Sequence, residues 1–409
     1  MEVRNDIIEM KKYLTYDDVN IVPKYSELKS RENVKLNTRF TRNTELTIPI
    51  VASPMDTVTE VDMAKEMMDW GGVGVLHRFN TIEEQSKMMK SVWKVWNSYF
   101  KPIPGITDGT ERTLETEWQE WWDSSIRHWN SPPTKSDWDD LKERFYFADN
   151  SIHDEKIWSK RPLCAAVGVT GDYLERAREL VWNGCNVILI DVAHGHHKNV
   201  GVAIEEIKKD ISNIEVIAGN IATRDGAKFL CEKGVDGIRV GIGNGSLCET
   251  RIRTGVGLPQ ASVLLDVCSV ADEYNVPVIA DGGIRNVGDV CKGLGCGADT
   301  VMVGSLLSGT KESPGTIEKK GQWPNEQLFK KYRGSASRDS KGSDKNVEGN
   351  HKVIPYKGKV KRILHDIRDG IKSSCSYVGA NNLDEYRSLV EFVEVTKAGQ
   401  VEAQPHLLT

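Results

Sequence analysis

No apolar run in this 409-residue chain approaches the roughly 18–20 residues needed to cross a bilayer, so no membrane-spanning helix is expected. The first residues, MEVRNDIIEMKKYLTYDDV, carry too many charges to form the apolar core of a signal peptide. Eight cysteines are scattered singly with no CxxC pair, which argues against a disulfide framework and against a thiolate zinc site. Neither sign of charge prevails: 54 basic side chains face 59 acidic ones, a net charge of −5. A general nucleic-acid or membrane-surface binder is therefore not expected. Glycine and proline, at 36 and 14, are too ordinary for collagen-like or low-complexity chains, and 39% hydrophobic residues exclude disorder. A reduced, cytoplasmic setting follows as the expectation.

Tryptophan, by contrast, is locally abundant. Eight of eleven fall between Trp93 and Trp158, within a stretch that also holds PIPG and SPP. Regular patterning stops there and resumes beyond it, so residues 93–160 read as an inserted Trp-rich module. Trp118, Trp122 and Trp129 lie at helical spacing, as in a small aromatic core. The remainder, 1–92 and 161–409, alternates short apolar runs with amphipathic helical segments. The runs are IPIVAS, GVGVLH, LCAAVG, NVILID, IEVIAG, GIRVG, PVIADGG and ADTVMVGS. Eight β-branched runs separated by helices predict an α/β fold, a (β/α)₈ TIM barrel rather than an open doubly wound sheet.

A barrel places its chemistry in the loops after the strands. Ser53, Asp191, Asn220, the Gly243–Cys248 segment, Asp281–Gly283 and Gly304-Ser305 all fall at such positions. In GIGNGSLCET the glycines permit tight turns with backbone groups facing a ligand, and Cys248 sits in that loop rather than in an apolar stripe. The other seven cysteines read as small core residues. ADGGI and VGSL follow the last two strands, where barrels commonly hold a phosphate on backbone N–H groups. Asp281 cannot bind a phosphate but could accept hydrogen bonds from ribose hydroxyls. The polar, glycine-rich segment 332–358 is too long for a connector and reads as a mobile flap, with Glu348 a candidate acid or base. HGHH after the fourth strand lacks the rest of a metal motif and reads as a loop toward a second substrate.

LTYDDVNIVPKYS, ASPMDTVTE, DVAHGH, AGN, GNGSLCETRIRTGVGLPQ, ADGGI, VGSLLSG and YRGSAS…KNVEG…PYKG together resemble the IMP dehydrogenase/GMP reductase family. The resemblance implies a barrel acting on a purine nucleotide with a nicotinamide cofactor, usually as a homotetramer. It makes Cys248 the nucleophile at purine C2, with Thr250 and Glu348 as the other catalytic residues. It places Ser53, Met55, Ser246, Asp281, Gly283, Gly304, Ser305, Tyr332, Gly334 and Ser335 around the nucleotide. Asp191, Ala193, Asn220 and Gly243 fall on the nicotinamide side. Carbonyls of Gly243, Gly245 and Cys248 match a monovalent cation site, potassium in kind. Two positions depart from the pattern: Asn244 stands for the usual proline, and Glu249 for an uncharged residue beside the thiol.

The family has two branches. A dehydrogenase oxidises IMP with NAD and hydrolyses the adduct with water activated by an Arg-Tyr pair in its flap. That pair is missing after Ser335, whereas GSASRDSKGSDKNVEG, DVAHGH, RTGVG and SSCSYVGA resemble the reductase branch, which converts GMP to IMP and ammonia with NADPH. ASPMDTVTE and VEFVEVTKAGQVEAQPH resemble the dehydrogenase branch. The expectation is a GMP reductase-like oxidoreductase; IMP dehydrogenase, or a catalytically silent nucleotide-binding scaffold, is the alternative.

Overall fold

The computed structural model describes residues 10–98, 161–322, 325–334, 337 and 349–403. Nearly all of the expected Trp-rich module, together with Ser335 and Glu348, lies outside the described residues. All eight predicted apolar runs form strands. They are β1 (Ile50–Ala52), β2 (Val73–Leu76), β3 (Cys164–Val167), β4 (Val187–Asp191), β5 (Glu215–Ile221), β6 (Gly237–Val240), β7 (Val278–Asp281) and β8 (Thr300–Val303). Each pairs in parallel with the next, and β8 pairs with β1, so the sheet closes into a barrel. This is the (β/α)₈ TIM barrel, with helices between the strands.

Strand side chains alternate between two apolar layers. Val51, Val75, Ala166, Leu189, Ile217 and Met302 point inward and fill the barrel. Their neighbours Ile50, Ala52, Ile188, Ile190, Val301 and Val303 belong to the cluster shared with the surrounding helices. A hairpin of Thr38–Arg39 and Glu45–Leu46 closes the bottom, adding Phe40 and Leu46 to the inner cluster. Asp236 and Asp299, which precede β6 and β8, anchor that hairpin through Arg42 and Arg39. The open end is therefore the C-terminal face of the strands.

The helices follow from their sequence pattern. α1 (Val61–Asp69) follows β1, and α2 (Ile82–Ser98) follows β2. Then come α3 (Tyr173–Trp182), α4 (Lys198–Asp210), α5 (Arg224–Glu232), α6 (Gln260–Glu273), α7 (Val287–Gly295) and α8 (Lys361–Val378). Thr223 caps α5 by accepting the Gly226 amide at 3.1 Å, a contact worth about 1 kcal/mol. α8 buries Leu364, Ile367, Ile371, Cys375 and Val378, spaced three or four apart, and ends at Gly379 with φ +81°. Each such aliphatic side chain contributes about 1.5–3 kcal/mol when fully buried.

α2 continues through Ser98, and Met89, Val92 and Trp93 on it are all buried in the main hydrophobic cluster. A Cβ at Gly184 would come within 2.2 Å of the Trp93 ring, so the neighbouring loop is shaped around this side chain. No helix among the described residues is long and apolar enough to cross a membrane.

Candidate active site

The loop that carries Cys248 leaves β6 at Gly241, whose φ of +144° suits glycine. A Cβ there would stand 1.9 Å from the Asp281 carbonyl, so only glycine lets the loops after β6 and β7 touch. The chain then turns back, with the Cys248 amide donating to the Gly245 carbonyl at 3.0 Å. Cys248 Sγ lies 3.1 Å from Thr250 Oγ1, within proton-transfer reach. The thiol is half-buried, whereas the other seven cysteines are buried. Burial pushes the thiols of Cys185, Cys296 and Cys375 up to about 12 and those of Cys231 and Cys291 up to about 11. The carboxylate of Glu249 is held by Arg253 at 2.5 Å and accepts from Asn350 Nδ2 at 3.1 Å, so its charge is paired.

A three-stranded antiparallel sheet arches over this loop, formed by β9 (Glu318–Lys320), β10 (Gln327–Arg333) and β11 (His351–Pro355). Gly349 makes an antiparallel bridge with Cys248, and the Asn350 amide donates to the Leu247 carbonyl at 3.1 Å. Gly334 donates to the Asn350 carbonyl at 2.9 Å, joining the ends of β10 and β11 where they meet the Cys248 loop. Arg333 fixes the other side by pairing with Asp56 at 2.7 Å in the loop after β1.

The residues expected around the nucleotide converge beside it. Ser246 Oγ and the Tyr332 hydroxyl are 3.0 Å apart. A Cβ on Gly304 would lie 3.1 Å from Met55 Sδ and 3.4 Å from both Ser53 Oγ and the Tyr332 hydroxyl. Gly283, at φ +80°, donates its amide to the Asn244 carbonyl at 2.9 Å. Ser305 Oγ donates to the Ile284 carbonyl at 3.3 Å, and the Ser305 carbonyl accepts from Lys357 Nζ at 2.6 Å. Burial lowers the Lys357 ammonium below its usual range. The residue ties the turn after β8 to the segment that follows the Gly349–Pro355 stretch, a contact the PYKG motif alone did not reveal.

Near Asp191 and Asn220, expected on the nicotinamide side, Arg239 lies between two carboxylates, 2.5 Å from Asp191 and 2.9 Å from Asp281. Burial opposes its charge, but the pair of carboxylates outweighs burial and raises its pKa. Sequence reasoning missed this residue, although an arginine in the otherwise apolar strand GIRV was the available signal. Asn220 Nδ2 donates to Asp281 at 2.7 Å and to the Gly241 carbonyl at 2.6 Å. Its Oδ1 is buried without a hydrogen-bond partner. An orphaned acceptor beside Asp191 is what a donating carboxamide would satisfy, so these residues fit a nicotinamide. Ala193 and His194 are exposed farther out on the same loop, and burial followed by the neighbouring His196 and His197 lowers the pKa of His194. No group of three or more His, Cys, Asp or Glu side chains placed to hold a metal ion occurs among the described residues.

The IMP dehydrogenase / GMP reductase domain matches residues 13–406. Inosine-5′-monophosphate dehydrogenase of Nitrosopumilus maritimus is 37% identical over 98% of this chain and 99% of its own length. The Cryptosporidium parvum protein of the same name is 36% identical over 97% of this chain and 95% of its own. Among solved structures, GMP reductase from Trypanosoma brucei in complex with guanosine 5′-monophosphate is similar, with a TM-score of 0.78 and 32% identity. That match covers 97% of this chain and 98% of the other. The eight-stranded barrel, the cysteine loop on its C-terminal face and these full-length similarities place the chain in the IMP dehydrogenase/GMP reductase family of oxidoreductases.

Proposed function

We propose that this protein reduces GMP to IMP and ammonia with NADPH, through a covalent adduct on Cys248. The supporting observation is the arrangement at the nucleophile: Thr250 Oγ1 stands 3.1 Å from Sγ, and Gly349, next in the chain after Glu348, bridges the Cys248 main chain. In the first half-reaction Sγ bonds to purine C2 and the C2–N bond breaks. The thiol proton passes through Thr250 and Glu348 to the amine, which leaves as ammonia. The nicotinamide, when bound, supplies the hydride that C2 acquires in the second half-reaction. The C–S bond then breaks, a proton returns to the sulfur, and IMP is released. Proton transfer by a placed side chain is worth about 10²–10⁴-fold, so loss of Glu348 should be severe.

Ser53, Met55, Ser246, Asp281, Gly283, Gly304, Ser305, Tyr332, Gly334 and Ser335 would hold the nucleotide. Asp191, Ala193, Asn220 and Gly243 would hold the cofactor. Backbone oxygens of Gly243, Gly245 and Cys248 are neutral hard donors suited to a potassium ion. A cytoplasmic homotetramer completes the reading.

The full-length similarity to proteins named IMP dehydrogenase supports a second reading, NAD-dependent oxidation of IMP through the same cysteine. Following reduced nicotinamide with purified protein separates the two. Consumption of NADPH with GMP is expected; formation of NADH with IMP would favour the dehydrogenase, and no change with either a silent binder. Glu348→Gln should retain GMP binding and lose turnover, and unimpaired reduction of GMP would remove Glu348 from the relay.

A further inference from the structure

We propose that Asn244 is a positioning residue for Cys248, holding the nucleophile loop rigid where a proline would otherwise restrain it. This rests on Cys248 being the nucleophile of the proposed reaction. The loop needs such a restraint, because Gly241, Gly243 and Gly245 leave its backbone with wide conformational freedom.

The Asn244 side chain supplies it from both of its polar atoms. Oδ1 accepts from the Arg251 guanidinium, and Nδ2 donates to Gln260 Oε1. Neither partner is free to follow a moving loop. Gln260 is 2% exposed, and its own amide donates to the Val240 carbonyl at 2.8 Å, at the end of β6. The Arg251 guanidinium also donates to the Leu258 carbonyl. Its stem lies between Gly243 and Gly257, where a Cβ would come within 2.6 Å and 2.7 Å of Arg251 Cγ. Asn244 is thus fastened to the barrel wall on one side and to a wedged side chain on the other.

The same residue joins the two halves of the nucleotide site. Its carbonyl accepts the Gly283 amide at 2.9 Å, and a Cβ on Gly282 would stand 2.9 Å from Asn244 Cβ. The loop after β7 therefore rests on Asn244, four residues before the reactive thiol. A displacement of the Asn244 side chain moves Sγ relative to the nucleotide. Binding of the nucleotide itself, which draws on Ser53, Gly304 and Tyr332 as well, depends on it less.

The test compares Asn244→Ala, which removes both side-chain bonds, with Asn244→Pro, which removes them and restrains φ covalently. Asn244→Ala is expected to lower kcat by roughly ten- to a hundredfold, as for a misplaced reacting group, with KM for the nucleotide within about threefold. Asn244→Pro is expected to recover most of that loss. Hydrogen exchange across residues 241–250 reads the restraint whichever purine is turned over. It should accelerate in the alanine variant and return toward wild type in the proline variant. Thermal unfolding of both variants checks that each is folded. Wild-type turnover in Asn244→Ala, or wild-type exchange there if the natural protein turns over neither nucleotide, would overturn the proposal. So would a proline variant as slow and as rapidly exchanging as the alanine variant.

Discussion

Iodoacetamide applied to the folded protein should alkylate one cysteine of eight, Cys248. Selectivity follows from burial acting twice on the other seven. Their sulfurs are inaccessible, and the low-dielectric interior disfavours the thiolate that attacks the reagent. Cys185, Cys296 and Cys375, held at about 12, would carry a thiolate fraction of about 10⁻⁴ at about pH 8. Cys231 and Cys291, at about 11, would carry about 10⁻³. Burial holds Cys164 and Cys268 well above the ordinary range too. Cys248 alone is half-buried, in a loop on the open face of the barrel. Intact-mass spectrometry should show a single carboxamidomethyl group, peptide mapping should place it on Cys248, and GMP should slow the reaction. Selectivity of at least roughly a hundredfold is expected. Comparable modification of any of the seven in folded protein would refute the argument from burial.

Three further outcomes are expected. Gly304→Ala puts a methyl group against Met55, Ser53 and Tyr332 and should weaken GMP binding by about 1–3 kcal/mol; an unchanged Kd by calorimetry would contradict the placement. Arg239→Met leaves Asp191 and Asp281 without their shared cation and should cost about 3–5 kcal/mol in urea denaturation, whereas a loss below about 1 kcal/mol would make the bridge incidental. Alkaline pH should destabilise the fold, because buried thiols keep protons that the unfolded chain releases near about 8.5. Below that pH their contribution is complete. Above it, up to about 1.4 kcal/mol is lost per pH unit for each thiol, and a denaturation midpoint that held steady or rose would contradict this.

The barrel was legible because each strand is a short β-branched run ending at Gly, Asp, Ser or His, a pattern that survives without knowledge of tertiary contacts. The loop position of Cys248 was legible for a related reason: glycines at close spacing mark a turn, and a cysteine inside one is out of place in a core. The burial of Trp93 was harder to read, because composition grouped it with the tryptophans that follow, while its helical spacing from Met89 sets it on the buried face of α2. The clasp around Asn244 could not be read from order alone. Gln260 is sixteen residues away and meets Asn244 only because the barrel brings α6 back under the loop. Arg239 is similar: its two carboxylates come from β4 and β7, and the parallel order β4-β5-β6-β7 sets them on either side of it.

The most direct test of the account is the fate of the hydride. Protein incubated with GMP and NADPH deuterated at the transferable position of the nicotinamide should yield ammonia and IMP carrying one deuterium at C2, with Cys248→Ala yielding neither. Oxidation of IMP with transfer of its C2 hydrogen to NAD, and no deuterated IMP from GMP, would contradict the reductase reading while leaving the fold and family membership intact.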